Sequence, residues 1–179
     1  NQITSLNLQF NTVLTNLGDS PLSVNFCAAP TFQLPDSVSK IVSFEGRWSN
    51  EFQRQSVDLV LGSFVRENRK GKTSHDVFPG LLVHNENAGE QHGECYGFHL
   101  GWSGNNKLRA ELLAEGRRYV QMGELLLPGE LTLAKGQTYQ SPSIYGSFSS
   151  EGFSALSRNF HRFVKANLLS QAQREKARP

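Results

Sequence analysis

Carboxylate side chains are the first residues of this sequence to consider for chemistry, because two facing carboxylates can cleave a glycosidic bond. The chain carries 16 acidic residues. Glu45, Glu51 and Glu94 flank aromatic residues in segments with strand-like alternation, and each could line a sugar site. An exposed strand face is the commoner place for such acids, and Asp19 and Asp36 lie in predicted turns. No catalytic pair is predicted within this chain.

Histidine and cysteine are the next candidates, as metal ligands or as a nucleophile with its base. His92 and His99 are seven positions apart, so on one continuous strand their side chains would point to opposite faces. His84 has no second histidine two positions away, and no base is placed beside Cys95 by spacing. We therefore predict neither a metal nor another cofactor. Cys27 and Cys95 favour buried, reduced thiols and a cytoplasmic location.

Two tryptophans could stack on sugar rings. Trp48 follows Arg47 at the end of a predicted strand, where an exposed or interface position is expected. Trp102 shares its parity with Phe98 and Leu100, which predicts a core position. The sequence therefore favours Trp48 as the aromatic platform.

Composition and charge exclude several classes of partner. The formal net charge of +2 is too small to indicate nucleic acid or an anionic membrane surface. The longest apolar run, residues 125–127, is far shorter than the roughly 20 residues of a membrane-spanning helix. Hydrophobic residues make up 37% and charged residues 19%, as in globular domains. We predict a soluble globular protein without a nucleic-acid or membrane partner.

Alternation of apolar and polar residues dominates the chain up to about residue 150 and predicts many short strands. Gly18 and Asp19 mark one turn, and the Ser-Gly-Asn-Asn run at 103–106 is typical of a tight hairpin. The predicted strands cover about residues 6–10, 22–28, 41–48, 52–65, 81–84, 96–102, 108–114, 117–122 and 139–148. Short strands at this spacing predict an all-β fold, an antiparallel sandwich or barrel.

The spacing of apolar residues changes after residue 150. They then recur every three or four positions, at Phe153, Leu156, Phe160, Phe163, Val164 and Leu168. This spacing predicts a helix with one apolar face, preceded by Ser149 or Ser150 as its N-cap. We accordingly divide the chain into a β-domain over residues 1–150 and a helical linker over residues 151–179.

Four motifs go beyond this general pattern. They are Phe-Glu-Gly-Arg-Trp-Ser-Asn-Glu-Phe-Gln at 44–53, Arg-Lys-Gly-Lys-Thr-Ser-His at 69–75, Gly-Glu-Cys-Tyr-Gly-Phe-His-Leu at 93–100 with Ser-Gly-Asn at 103–105, and residues 150–162. In this order they resemble the N-terminal domain of bacterial α-galactosidases of glycoside hydrolase family 36. Residues 76–80 depart from the polar stretch that the family shows after its histidine.

The resemblance implies a β-supersandwich of the galactose mutarotase type, packed against a (β/α)8 barrel that carries both catalytic aspartates. It implies a non-catalytic piece of a longer, retaining α-galactosidase acting on melibiose- or raffinose-type sugars, with the barrel and earlier strands outside this chain. It also implies a homo-oligomer in which this domain lies near a neighbour's active site. Substrate-binding or interface residues would be Arg47, Trp48, Glu51 and His75.

Two other functions remain open from the sequence. One is an independent carbohydrate-binding module with Trp48 as its platform. The other is a mutarotase-like enzyme, which would need a His and Glu acid–base pair in its sheet. No such pair can be assigned from residue spacing.

Overall fold

The computed structural model describes residues 5–27 and 30–170 as an antiparallel β structure followed by one helix. This confirms the predicted fold class. The elements are β1 (Ser5–Phe10), β2 (Val13–Thr15), β3 (Leu22–Ser23), β4 (Phe32–Leu34), β5 (Val38–Arg47), β6 (Asn50–Asp58), β7 (Gly62–Asn68), β8 (Gly80–Asn85), β9 (Cys95–Leu100), β10 (Asn106–Leu112), β11 (Arg118–Glu124), β12 (Thr132–Leu133), β13 (Thr138–Gln140), β14 (Ile144–Ser149) and α1 (Gly152–Asn167).

Two sheets form the body of the protein. The large sheet has six strands in the order β1-β14-β9-β8-β5-β6, and every neighbouring pair is antiparallel. The small sheet has three strands in the order β10-β11-β4. Two short pairs, β12 with β3 and β13 with β2, lie beside them.

The main core lies between the two sheets. Alternation along each strand sends every second side chain to this inner face of the large sheet. The buried cluster includes Ile41, Leu81, Val83, Phe98, Leu100 and Ile144 from the large sheet, and Leu34, Leu108, Ala110, Val120 and Met122 from the small sheet. None of them is more than 8% exposed.

Helix α1 packs on the opposite, outer face of the large sheet, against β14, β1 and β9. A separate buried cluster joins them, formed by Cys95, Phe153 and Leu156. Both cysteines are free thiols, and Cys95 is fully buried beneath the helix. Within the described residues, no helix is long and apolar enough to cross a membrane.

The start of α1 differs from the prediction. Glu151 occupies the N-cap and makes no side-chain capping hydrogen bond, so the prediction of Ser149 or Ser150 was wrong. The first three backbone N–H groups instead donate to carbonyls of residues 93, 89 and 90, at 3.0, 3.0 and 2.9 Å. Gly152 has φ +79°, and a Cβ there would lie 2.4 Å from the carbonyl oxygen of Gly89. The loop thus caps the first turn, while the Ser149 hydroxyl accepts a hydrogen bond from the N–H of Glu151 at 3.0 Å.

Three predicted strands are shorter or divided. The segment 52–65 divides into two strands, because β6 ends at Asp58 and the chain turns before β7 begins at Gly62, which has φ +108°. The segment 139–148 breaks at Pro142, which has no N–H to give to a sheet. The segment 22–28 is a strand only at Leu22–Ser23, and Ala28 lies outside the described residues.

The prediction of Trp102 as a core residue was also wrong. Strand β9 ends at Leu100, and the Trp102 N–H turns back to donate to the Leu100 carbonyl at 2.9 Å. The parity of the strand is lost at this turn. The indole lies over Gly104, where an added Cβ would be 2.6 Å from Nε1, and the residue is 38% exposed.

Candidate functional site

The hairpin between β5 and β6 presents the tryptophan that the sequence singles out. Its tip is Trp48 and Ser49, enclosed by the pair Arg47 and Asn50. Trp48 is 83% exposed. Ser49 has a positive φ of 65°, and its N–H donates to Oε1 of Glu51 at 3.0 Å. The Glu51 carboxylate therefore holds the turn that displays Trp48.

A β-bulge lies immediately below this tip. Gly46 faces two residues of β6, Glu51 and Phe52, because the register shifts between Glu45 and Arg47. A Cβ on Gly46 would lie 2.5 Å from the Asn50 carbonyl oxygen, so the close approach of the two strands requires glycine.

The bulge also sets the direction of an aromatic side chain. Phe52 has φ 59°, an unfavourable value for a residue with a side chain. Its ring stacks on Phe44 at 4.7 Å between centroids and meets Phe78 edge-on at 4.9 Å. The contacts of this ring help to hold the strained backbone.

A polar cleft of about 340 Å³ borders the hairpin. Planar polar side chains line it, from Glu45, Arg47, Asn50, Gln53, Gln55 and Asp76. The Glu45 carboxylate accepts hydrogen bonds from Arg66 and from the Ser43 hydroxyl. Hydrogen bonds from Lys70 and then Ser74 lower the pKa of Asp76 to about 2. Both carboxylates are thus positioned by neighbouring side chains.

An apolar groove of about 350 Å³ runs along the outer face of the large sheet, beside α1. Its lining includes Phe44, Phe52, Phe78, Leu82, His99, Phe160, His161 and Val164. Phe52 is 57% and Val164 is 39% exposed, although both are large apolar residues. The ring of His99 stacks on Phe78 at 5.2 Å, and burial lowers its pKa.

Comparison with known proteins places these features in a family. Residues 8–134 match the family described as "Glycosyl hydrolase family 36 N-terminal domain". This chain belongs to that family. An α-galactosidase of Escherichia coli is 39% identical over 172 residues, which are 96% of this chain and 24% of that protein.

Solved structures agree with the fold of this family 36 N-terminal domain. A variant of α-galactosidase AgaA from Geobacillus stearothermophilus in complex with raffinose matches with a TM-score of 0.87 and 27% identity, over 97% of this chain and 24% of that chain. The galactosidase domain of AgaSK shares the fold with a TM-score of 0.90 at 24% identity, over 97% of this chain and 24% of that chain. The chain therefore spans about a quarter of the relatives it matches.

The predicted site residues of the family 36 N-terminal domain fall into two groups. Arg47 lines the polar cleft and Trp48 stands at the tip above it, whereas Glu51 serves the turn. His75 is exposed and precedes Asp76, a cleft residue. Their role in binding stays a prediction.

Sequence reasoning did not find the cleft itself. Its amide side chains Gln53 and Gln55 share one side of β6, and their two-residue spacing is the only signal that could have suggested a common surface. Asp76 comes to this cleft from a separate turn, at residues 74–77, which only the tertiary structure brings close.

The acids with unusual sequence contexts have structural partners. Glu45 pairs with Arg66, Glu51 holds the hairpin turn, and Glu94 accepts a hydrogen bond from Ser37 at 3.3 Å. Within the described part of the chain, no three His, Cys, Asp or Glu residues are placed to hold a metal ion.

Proposed function

We propose that this chain is the non-catalytic N-terminal domain of an α-galactosidase that hydrolyses terminal α-galactosides such as melibiose or raffinose. Its role is to pack against the catalytic barrel of the same polypeptide and to support assembly of a homo-oligomer in the cytoplasm. The apolar groove carries this proposal, because a contiguous exposed apolar surface usually marks an interface.

The assignment of catalysis to the barrel rests on the carboxylates. A glycosidase needs one acid close to the leaving-group oxygen and a second across the scissile bond. Glu45, Glu51 and Glu94 each hold a turn, a strand pair or a loop instead. We accordingly place the two catalytic carboxylates of a retaining mechanism outside this chain.

The helix face that packs on the barrel can be defined more closely. Phe160 and Val164 line the groove, and we propose that they contact the barrel. Phe163, a residue of the same apolar face in sequence, turns the other way and packs on Tyr145 with ring centroids 5.2 Å apart. It therefore supports the helix rather than the interface.

The test compares groove and non-groove surface residues in the longer enzyme. Phe52→Ser and Val164→Ser should lower its thermal midpoint and its turnover of a chromogenic α-galactoside. Leu17→Ser is the matched control, because Leu17 is 83% exposed and lies outside the groove. Equal effects of all three changes, or normal activity and assembly after deletion of residues 1–179, would overturn the proposal. Turnover by this chain alone would overturn it as well.

A second candidate function is an independent carbohydrate-binding module. The polar cleft favours it, because amide, carboxylate and guanidinium groups bind sugar hydroxyls in pairs and Trp48 offers a ring beside them. Calorimetry of this chain with galactose or melibiose should then show saturable binding that Trp48→Ala abolishes. Trp102→Ala, an exposed tryptophan elsewhere, is the control. No heat at millimolar sugar would exclude this function.

A further inference from the structure

The first turn of α1 is held by an unusual contact. The ring of Phe153 meets the ring of His84 edge-on with centroids 5.0 Å apart, and the guanidinium of Arg54 lies 4.6 Å from the centroid of the Phe153 ring. His84 is on β8 and Arg54 is on β6, so two strands of the large sheet hold one residue of the helix. Both His84 and Phe153 are buried.

The hydrogen bonds of His84 define its protonation state. Nδ1 lies 2.8 Å from the Asn85 carbonyl oxygen, which can only accept, so Nδ1 carries the proton. Nε2 is buried and has no hydrogen-bond partner among the described residues. A second proton on Nε2 would therefore create a buried cation whose new N–H has no acceptor.

The charges around His84 oppose that proton. Burial is the main cause that lowers its pKa, and the cations Arg54 and Lys40 add to it, against the Asn85 carbonyl and Glu86. The N-terminal end of α1 also carries a partial positive charge. The cleft beside Arg54 contains further charged and titratable groups: Glu90 from the loop, and Arg158 and His161 from α1.

The carboxylates near His84 are already engaged. Asp58 and Glu86 form ion pairs with Lys40, and Glu90 forms one with Arg54. Cys95 is the residue paired with His84 on β9, and burial followed by the charge of Glu90 raises the pKa of its thiol to about 12. Each of these carboxylates is paired with a cation, and none of them accepts a hydrogen bond from Nε2 of His84.

We propose that His84 is an acid-sensitive latch for α1: protonation at Nε2 releases Phe153 and the first helical turn from the sheet while the main core stays folded. The helix is the element that would separate, because its buried cluster is distinct from the core between the sheets. The first three N–H groups of α1 donate to carbonyls of residues 93, 89 and 90 in the loop before β9, and not to the strands of the large sheet.

The direction of the pH effect on docking of α1 follows from the linkage between docking and proton binding by His84. A released His84 titrates near 6.5, and the docked residue titrates lower. Docking is therefore strongest above pH 6.5 and weakens as the pH falls from there toward the lower pKa of the docked state. Since one proton is taken up on release, the docking equilibrium falls by at most about tenfold per pH unit within this window.

Cys95 provides a direct measurement, because its thiol is fully buried under α1. In a Cys27→Ser background, labelling by a pyridyl disulfide is followed between about pH 7.5 and about pH 5. Rates are divided by those of the denatured chain at the same pH. We expect protection of Cys95 to fall by several-fold to about tenfold per pH unit below 6.5. Amide exchange rates are divided by those of the denatured chain in the same way. Protection should then fall with pH for the amides of residues 152–156 and stay constant for those of residues 106–112.

His84→Gln removes the titrating group and should abolish the pH dependence of Cys95 protection. His161→Gln is the matched control, because His161 is exposed on the same helix, and His99→Gln tests the other buried histidine of this face. Both should retain the pH dependence. If His84→Gln does not fold, the pKa of His84 is measured in the unaltered chain from the pH dependence of its ring NMR signals. A pKa at or above 6.5, an unchanged slope in His84→Gln, or loss of protection in both segments together would overturn the proposal.

Discussion

The two faces of the large sheet are covered to different extents by the other elements. The inner face meets the small sheet, and its residues on the central strands, such as Ile41 and Leu100, are almost completely buried. The outer face is covered by α1 over β14, β1 and β9, whereas Phe52 stays exposed and Phe44 and Phe78 are half-buried. The small sheet thus buries the central part of one face of the large sheet, whereas the other face leaves part of its apolar surface exposed.

From this difference we expect the inner face to determine mainly folding stability and the outer face to determine mainly association with a partner. Burial of apolar surface stabilises a fold by about 25 cal/mol per Å² removed from water, so the inner face should dominate folding. The exposed part of the outer face contributes little until a partner covers it. Substitutions on the two faces should therefore change different measurements.

The largest expected effect is on the inner face. Leu100→Ala leaves a cavity at a fully buried position and should lower the free energy of unfolding by about 2–5 kcal/mol. Denaturation in urea measures it. Val57→Ala, at an exposed position on β6, is the control and should change stability by less than about 0.5 kcal/mol. A similar cost for both would mean that the core does not lie between the sheets.

A smaller effect is expected where α1 touches the sheet. A Cβ on Gly97 would lie 2.7 Å from Cε2 of Phe160 and 3.2 Å from Cδ2 of Leu82. Gly97→Ala should cost about 1–3 kcal/mol, because the helix must shift or its side chains must turn. Phe160→Leu shortens the obstructing side chain and should recover part of this cost in the double variant. Purely additive costs would show that Phe160 is not the obstacle.

At Phe52, the contributions of backbone strain and of ring packing to stability can be measured separately. Phe52→Ala loses the ring contacts and keeps the positive φ, whereas Phe52→Gly loses the same contacts and relieves the backbone. The glycine variant should be more stable than the alanine variant by about 1 kcal/mol in urea denaturation. Equal stability would indicate that the bulge relaxes when the ring is removed.

The smallest effect is expected at the hairpin tip, where the two faces meet. Glu51→Ala removes the acceptor for the Ser49 N–H and should cost about 0.5–1 kcal/mol, with faster exchange of that amide. Glu51→Gln keeps an acceptor oxygen and should be nearly neutral. If Glu51→Gln lowered stability as much as Glu51→Ala, the negative charge of Glu51 would matter more than its hydrogen bond to the Ser49 N–H.

Much of the fold follows from local patterns in the sequence. The three- and four-residue spacing from Phe153 predicted a helix that the structure places at Gly152–Asn167. Alternation predicted β9 and β10. The hairpin predicted at residues 103–106 was wrong, because β9 belongs to the large sheet and β10 to the small sheet, and the run connects the two sheets. The four motifs predicted the family, which the match over residues 8–134 confirms.

Predictions that depended on long-range contacts were less successful. Trp102 follows the parity of β9 but lies beyond the strand end, and Glu151 replaces a serine cap because a distant loop supplies the carbonyls. The polar cleft gathers residues of β5, β6 and the turn at 74–77. The helix cap and the cleft depend on residues distant in sequence, whereas Trp102 is displaced by a local turn back to Leu100.

The strand-rich body, the C-terminal helix and the family could be predicted, since each depends on residues close together along the chain. The covered face of the large sheet could not be predicted in this way. Leu81, Leu82 and Val83 are consecutive apolar residues of β8, so alternation cannot distinguish the two faces there. The order of the strands and the packing of α1 make that distinction, because burial depends on what each face meets.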